Sequence, residues 1–326
     1  MNKKPILIDT DPGMLVRLST DLDDDLAILF LLASPEIAIL GLTCTYGNSS
    51  IARTFADAKT LLSHAGRTDI PVLKGAGWRT RDLLRETDAS RFLAETVLKR
   101  PGEVTVLTLG PLTNLATALT HHPDLAEAIP ELVMMGGRLR PGAEFNFGAH
   151  PKAADLVLRS AIPKVMVTIE LCFQAPLTAA ELRRLEDRPD SHLARYLPVI
   201  RRWLRLQRFI FSLIRLRYPE IPAGGFFPWD GIAAAFLIDP SLFSEIKVLQ
   251  VWMEKNRTLN SADSAGLEPR SLTRAPFRLD PGRFFNLFLG RLVSLKSQPN
   301  SLIPNRAVGK KIFNHKGTKT PRINGL

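Results

Sequence analysis

PILIDTDPGMLVRLSTDLDDDLA, residues 5–27, begins with an apolar run, Pro5 to Ile8, that ends in Asp9-Thr10-Asp11. It turns at Pro12-Gly13 and returns to acid at Asp21 and at Asp23 to Asp25, which open an apolar helical stretch, Leu26 to Leu32. Strand, turn and helix in that order start an α/β fold, where ligands bind at the ends of strands and the beginnings of helices. Asp9 and Asp11 stand two apart, so on extended chain they lean to one face. Asp23 and Asp24 fall at a helix N-terminus, where negative charge is favoured. Carboxylates packed this closely repel one another unless a hard cation holds them, and an all-oxygen set suits Ca²⁺ or Mg²⁺. Ordinary acidic capping is the plainer alternative, and both readings stand at this point.

Outward from this unit, strand and helix signals alternate. Ile37 to Thr45 reads as a buried strand, Ser49 to Ala65 as a helix, and Val72-Leu73 as a short strand. Leu83 to Leu98 is a helix stopped by Pro101-Gly102, Val104 to Leu109 a strand, and Leu112 to Leu119 the helix after it. Leu132 to Met135 ends in Gly136-Gly137, Pro151 to Ser160 is helical, and Lys164 to Ile169 is a further strand. The alternation predicts an α/β fold, an open and mostly parallel sheet flanked by helices. The second half is more helical, with helices over Leu177 to Leu185, Asp190 to Tyr218, Trp229 to Ile238 and Pro281 to Leu295, and a strand over Ile246 to Trp252. No internal repeat or linker interrupts residues 1–296, which read as a single domain.

A chain of 326 residues with 45% hydrophobic content buries a large core. No run of about eighteen uncharged apolar residues is present, so no membrane span is expected, and the apolar run after MNKK is too short for a signal peptide. Cys44 and Cys172 are the only cysteines, which argues against a disulfide scaffold and supports a cytoplasmic address. The net charge of +11 invites a nucleic-acid reading. Residues 297–326, however, supply six of those charges with no acid, as a tail of disordered composition, leaving +5 elsewhere. No specific nucleic-acid partner is expected. The basic, amphipathic stretch Leu197 to Tyr218 reads as a core-facing helix rather than a membrane-surface one.

Further polar groups fall where strands end: Tyr46-Gly47-Asn48, Gly110-Pro111-Leu112-Thr113-Asn114, Glu144-Phe145-Asn146 after Gly136-Gly137, and Pro228-Trp229-Asp230 before an apolar helix. Each alone has a dull explanation as a turn or an N-cap. Together they place polar groups along one edge of one sheet. With DTDPG, the DDDLA run, YGN, LGPLTNLA, MMGG, EFN and WDGIAAAFLIDP in this order, the chain resembles nucleoside hydrolases of the inosine–uridine preferring family, from Pro5 to about Leu295.

The resemblance implies Ca²⁺-dependent hydrolysis of the N-glycosidic bond of ribonucleosides to ribose and free base. By motif, Asp11, Asp24, the backbone carbonyl of Thr113 and Asp230 would hold Ca²⁺, and Asp11 would be general base for the metal-bound water. Asp23, Asn48, Glu144 and Asn146 would bind the ribose hydroxyls, with Met135 nearby. Relatives that take inosine and uridine often carry a His where this chain has Trp229. The aromatic residue resembles the purine-specific type, with Trp78 as a second stacking residue. The resemblance also implies a small-molecule ribonucleoside as partner, a homodimer or homotetramer, and a place in nucleoside catabolism and purine salvage.

The chain departs from the family pattern at Met14 to Leu22, nine residues where one is usual between DTDPG and the acid pair. Such an insertion either bulges outward and leaves Asp23 and Asp24 in place, or unseats them and lets Asp21 compete. The second case predicts a catalytically impaired nucleoside- or metal-binding protein on the same fold. A smaller departure is His150-Pro151 in place of Asp-Pro, read as a helix-start substitution. The loop from Arg138 to Ala143 also lacks an Asn that some relatives use at the 5′ end of the ribose. A DxD phosphatase with Asp9 as nucleophile and Asp11 as acid is the remaining alternative, but it leaves YGN, LGPLTN and WDGIAAAF unexplained.

Overall fold

Ile6, Leu7 and Ile8 are all fully buried on β1 (Lys4–Thr10), as expected of a parallel strand covered by helices on both faces. Ile6 and Ile8 join one hydrophobic cluster and Leu7 the other, so the strand's alternation divides the core into two layers. The computed structural model describes residues 3–13, 22–79, 84–186, 196–215, 226–254, 258–263 and 272–295. From β1 the chain passes through α1 (Asp23–Leu32), β2 (Ile37–Cys44), α2 (Ile51–His64), β3 (Val72–Lys74) and α3 (Asp88–Leu98). Then follow β4 (Thr105–Thr108), α4 (Thr113–His121), α5 (Leu125–Ala128), β5 (Leu132–Met135), α6 (Phe145–Ala149), α7 (Pro151–Arg159) and β6 (Lys164–Val167). The remainder comprises α8 (Ile169–Cys172), α9 (Ala179–Glu186), α10 (Leu197–Ile214), α11 (Trp229–Ile238), β7 (Phe243–Met253), β8 (Leu259–Asp263), β9 (Leu272–Leu279) and α12 (Pro281–Ser294).

The strands form a nine-stranded sheet in the order β3-β2-β1-β4-β5-β6-β9-β7-β8. Pairings from β3 through to β9 are parallel, and β7 alone runs against its neighbours β9 and β8. β1 pairs with β2 on one edge and β4 on the other, so the winding reverses at β1 and opens a crevice beyond its C-terminal end. α1 is buried from Asp23 to Leu31 and packs against α11 and α12, which is why its sequence is apolar on all sides after the opening acids. Among the described residues no helix is long and apolar enough to cross a membrane.

Several boundaries differ from those expected. The helix expected from Leu83 begins at Asp88, because Thr87 and Ser90 form a reciprocal capping box, Ser90 N donating to Thr87 Oγ1 at 3.1 Å and Thr87 N to Ser90 Oγ at 2.8 Å. Leu84, in the turn before it, has a left-handed φ of 42°; Leu83 lies outside the described residues. The helix expected from Leu177 starts at Ala179. β7 is longer than expected, and β8 and β9 were not anticipated, since Arg274, Pro276 and Arg278 obscure the alternation of β9. Of the helix expected over Asp190 to Tyr218, α10 is the described part; residues 190–195 and 216–218, like the tail at 297–326, lie outside the described residues.

In α2, Asp57 is buried, its Oδ2 has no hydrogen-bonding partner among the described residues, and burial pushes its pKa up to about 6, partly opposed by Arg53. A carboxyl with a raised folded-state pKa is neutral at no cost below about pH 4, where the unfolded chain also binds the proton, and costs stability as pH rises towards 6. Asp57→Asn is therefore expected to raise stability above pH 6, by on the order of 1 kcal/mol after solvent screening, and with it the thermal midpoint, and to leave both unchanged below about pH 4. Thermal denaturation across that range tests this; equal midpoints at pH 7 would show that the carboxylate is solvated.

Candidate functional site

A pocket of about 470 Å³ opens at the C-terminal edge of the sheet, beside the reversal point. Asp11 enters it from the end of β1, Asp23 and Asp24 from the first turn of α1, and Asn48 from the loop after β2. Leu109 follows β4, Met135 closes β5, and Ala143, Glu144, Phe145 and Asn146 come from the start of α6. Ile169 follows β6, and Trp229 and Asp230 open α11.

The acids form the deepest part. Asp23, Asp24 and Asp230 each present a carboxylate oxygen, all within 4.8 Å of one another, and all three side chains are buried. Thr10 Oγ1 donates to Asp24 Oδ1, and Asp11 N donates to the same oxygen at 3.0 Å. Asn48 reaches both sides of the cluster, its Nδ2 donating to Asp24 Oδ2 at 3.0 Å and its N to Asp11 Oδ2 at 2.6 Å. Burial holds the Asp24 carboxyl above the usual carboxylate range, with these hydrogen bonds opposing the shift. Among the described residues that line the pocket there is no Lys or Arg. Burying several anions without a counter-charge is costly. An all-oxygen donor set of this kind fits a hard divalent cation.

Asp11 is held in a slot that only glycines leave open. A Cβ on Gly47 would lie 1.9 Å from Asp11 Oδ2, and one on Gly110 would lie 2.1 Å from Asp11 Oδ1. This gives a physical reason for glycine in both YGN and LGPLTN. Glu144 is fixed just as firmly: its Oε1 accepts from Asn146 N at 2.6 Å, and its Oε2 from Gly137 N at 2.9 Å and Phe147 N at 3.0 Å. Burial nevertheless pushes its carboxyl pKa up. Asn146 Nδ2 donates to the carbonyls of Leu109 at 2.7 Å and Met135 at 3.2 Å. Trp229 packs against Phe227 and Phe173, with centroids 4.9 and 5.5 Å away.

The pocket thus brings together Asp11, Asp23, Asp24, Asn48, Met135, Glu144, Asn146, Trp229 and Asp230. It does not include Thr113 or Trp78. Thr113 lies in the first turn of α4, where its carbonyl accepts Thr117 Oγ1 at 2.8 Å; the residue of the LGPLTN segment's approach that faces the pocket is Leu109. Trp78 is 38% exposed and packs on Tyr46, ring centroids 4.4 Å apart. Asp9 does not share the face of Asp11, because the strand ends at Thr10. Its Oδ1 accepts from Thr43 Oγ1 at 2.6 Å and Asn114 Nδ2 at 2.8 Å, and burial pushes its pKa up to about 7. His150 stands at the start of α7 without capping it, its Nδ1 lying 3.2 Å from Thr113 Oγ1. Phe145 went unassigned in the sequence, although an aromatic residue between two pocket-facing polar ones at a helix start is a usable signal. It is 53% exposed and lines the pocket.

Met14 to Asp21 lie outside the described residues, but both flanks of this segment are tied to the site. Gly13 N donates to Asp25 Oδ2 at 3.1 Å, Leu22 is buried immediately before α1, and the Thr10 and Asp11 bonds to Asp24 span the same interval. The register counted back from Leu26-Ala27 therefore places Asp23 and Asp24 beside Asp230.

Comparison with known proteins gives a consistent assignment. The family model described as inosine-uridine preferring nucleoside hydrolase matches residues 6–286. An uncharacterised protein of Schizosaccharomyces pombe is 30% identical, the alignment covering 88% of this chain and 98% of that one. Uridine nucleosidase 1 of Arabidopsis thaliana is 34% identical over 57% of this chain and 62% of its own length. Among solved structures, a plant nucleoside hydrolase superposes with a TM-score of 0.76 at 26% identity, covering 89% of this chain and 99% of that one. The purine-preferring ribonucleoside hydrolase from Gardnerella vaginalis shares the fold, with a TM-score of 0.74 at 23% identity over 90% of this chain and 99% of its own.

Gly47→Ala and Gly110→Ala each drive a methyl group into the Asp11 carboxylate. Each is expected to lower kcat/KM for ribonucleoside hydrolysis by about 100-fold or more while circular dichroism stays native. Near-wild-type rates in both would show that Asp11 tolerates displacement.

Proposed function

We propose, on the premise that this chain belongs to the inosine-uridine preferring nucleoside hydrolase family, that its pocket uses Ca²⁺ to hydrolyse the N-glycosidic bond of purine nucleosides in preference to pyrimidine ones. Ribonucleoside hydrolysis follows from the family. The finer reading rests on one observation: Asp11, Asp23, Asp24 and Asp230 meet in one pocket that the aromatic rings of Phe145 and Trp229 also line.

Asp11, Asp24 and Asp230 would hold the cation, with the Leu109 carbonyl as the main-chain oxygen at the pocket in place of that of Thr113. When bound, Ca²⁺ lowers the pKa of a coordinated water and orients the ribose diol. Asp11 accepts the proton of the attacking water. Asp23, Asn48, Glu144 and Asn146 bind the ribose hydroxyls, and Glu144 is pre-oriented by the three backbone N–H groups that fix its carboxylate. Breaking the glycosidic bond builds positive charge on the sugar, and the surrounding carboxylate and amide oxygens stabilise that charge as it develops.

On the base side, Trp229 is backed by Phe227 and Phe173, and the exposed ring of Phe145 also lines the pocket. A purine offers these rings more stacking area than a pyrimidine does. Trp229 brings no titratable proton, so the leaving base must be assisted by another donor. The same reading carries a single catalytic domain over residues 1–296, a homodimer or homotetramer, and a cytoplasmic role in nucleoside catabolism and purine salvage.

Ribose release from inosine, adenosine, guanosine, uridine and cytidine, measured with Ca²⁺ and with a chelator, tests each part. Release is expected from the purine nucleosides, to vanish with chelator, and to fall by about 1,000-fold or more in Asp11→Ala. Trp229→Ala is expected to raise KM for inosine by about tenfold, and that for uridine less. Release mainly from uridine would overturn the purine preference, and release indifferent to chelator would overturn the metal.

A further inference from the structure

We propose that Thr113 is a positioning residue of the catalytic edge, acting through a buried relay, Tyr46–Thr113–His150, that locks the loop bearing Asn48 to the end of α6, the helix that carries Asn146 and is capped by Glu144. The inference rests on the catalytic reading above. Thr113 Oγ1 lies 3.1 Å from Tyr46 Oη and 3.2 Å from His150 Nδ1. Tyr46 and Thr113 are 0% exposed and His150 is 3% exposed, so water does not substitute for these bonds.

A threonine hydroxyl has one hydrogen and two lone pairs, so Thr113 Oγ1 can donate to one neighbour while accepting from the other, or accept from both. Tyr46 donates to Thr113 while Thr113 donates to an unprotonated Nδ1, or Nδ1–H donates to Thr113 while Thr113 donates to Tyr46, or both neighbours donate to Thr113. In every one of these arrangements the two contacts meet at the single atom Thr113 Oγ1, and loss of that atom loosens both ends.

Each end bears on a different half of the site. Tyr46 is two residues before Asn48, which donates to both Asp11 and Asp24. The Tyr46 ring is held from its other side by Trp78, which gives that tryptophan a task away from the base. His150 stands at the junction of α6 and α7, four residues after Asn146. Between them Thr113 sits on α4, a helix otherwise anchored by Asn114, whose Nδ2 donates to Asp9 Oδ1 and to the Cys44 carbonyl at 3.0 Å, while its Oδ1 accepts from Ala76 N at 3.0 Å. Thr113 is not among the residues that line the pocket, so it acts by setting the separation between the acid cluster and the ribose-facing pair. An ionised Asp, the usual residue of the family at position 150, only accepts hydrogen bonds; the imidazole accepts or donates, which ties this arrangement to the present chain.

The test uses Thr113→Val, which keeps the shape and removes the hydroxyl, Thr113→Ser, which keeps the hydroxyl, Tyr46→Phe, and the double variant Tyr46→Phe/Thr113→Val. Thr113→Val is expected to lower kcat for inosine by about tenfold or more with KM changed by less than about threefold, and to weaken Ca²⁺ binding in calorimetric titration by about fivefold. Thr113→Ser is expected to stay within about twofold of wild type in both. Tyr46→Phe is expected to behave like Thr113→Val, and the double variant to be no worse than Thr113→Val alone. Equal losses in the Val and Ser variants, or single losses that multiply in the double variant, would overturn the relay. Should Thr113→Val fail to fold, Tyr46→Phe decides alone: a folded variant with wild-type kcat and Ca²⁺ affinity overturns it. If the wild type binds Ca²⁺ with this variant pattern but releases no ribose, the relay stands and the catalytic reading falls. A wild type that does neither overturns both.

Discussion

Acidic side chains crowded into one crevice are the condition to which this fold is fitted. Asp11, Asp23, Asp24 and Asp230 meet beyond the end of β1, where the winding of the sheet reverses and leaves room between neighbouring connections. Two buried helices, α1 and α11, both begin there with acids in their first turns and pack against each other. Their N-terminal dipole ends converge on the anions and partly offset the repulsion. The Thr10 hydroxyl, the Asp11 amide and both nitrogens of Asn48 supply further neutral donors. The oxygens of Asp23, Asp24 and Asp230 lie close enough together that a hard cation could complete the balance.

The two acids of the DTD motif divide the labour. Asp11 stands past the last pleat of the strand and faces the pocket, whereas Asp9, still inside the sheet, fastens β2 and α4 through Thr43 and Asn114. Period-two spacing placed both on one face, but the end of the strand intervenes between them. The first two residues of α4 extend this fastening in opposite directions, Asn114 towards β1, β2 and the loop after β3, and Thr113 towards Tyr46 and His150. Residues of one short motif therefore brace the site from behind, and the pocket itself meets Leu109 just ahead of them.

The alternation of strands and helices was legible because hydrophobic runs and turn residues are local signals. So was the ordered set of polar residues at strand ends, which is why most of the expected site converges on one pocket. What was not legible depends on three-dimensional turns. Whether Thr113 or Leu109 faces the crevice is decided by how the chain leaves β4, and motif spacing does not report that. Trp78 looked like a stacking residue, yet its partner ring is Tyr46, thirty-odd positions earlier and named only as part of YGN. β9 hid for a different reason: Pro276 and two arginines mask a strand that is stabilised by its neighbours β6 and β7 more than by its own composition.

The pinned flanks of the Met14–Leu22 segment bear on how such a protein tolerates change. Because Gly13 is bonded to Asp25, and Asp24 to Thr10 and Asp11, the two flanks of the segment are tied to each other at the carboxylates. The entropy of closing a longer loop grows only with the logarithm of its length, so eight extra residues cost about 1 kcal/mol. That is small beside the interactions that hold the two ends together. Length is thus nearly neutral at this one position, immediately next to the most exacting geometry in the molecule. It is a natural port at which evolution, or a protein engineer, can splice foreign sequence within reach of the substrate.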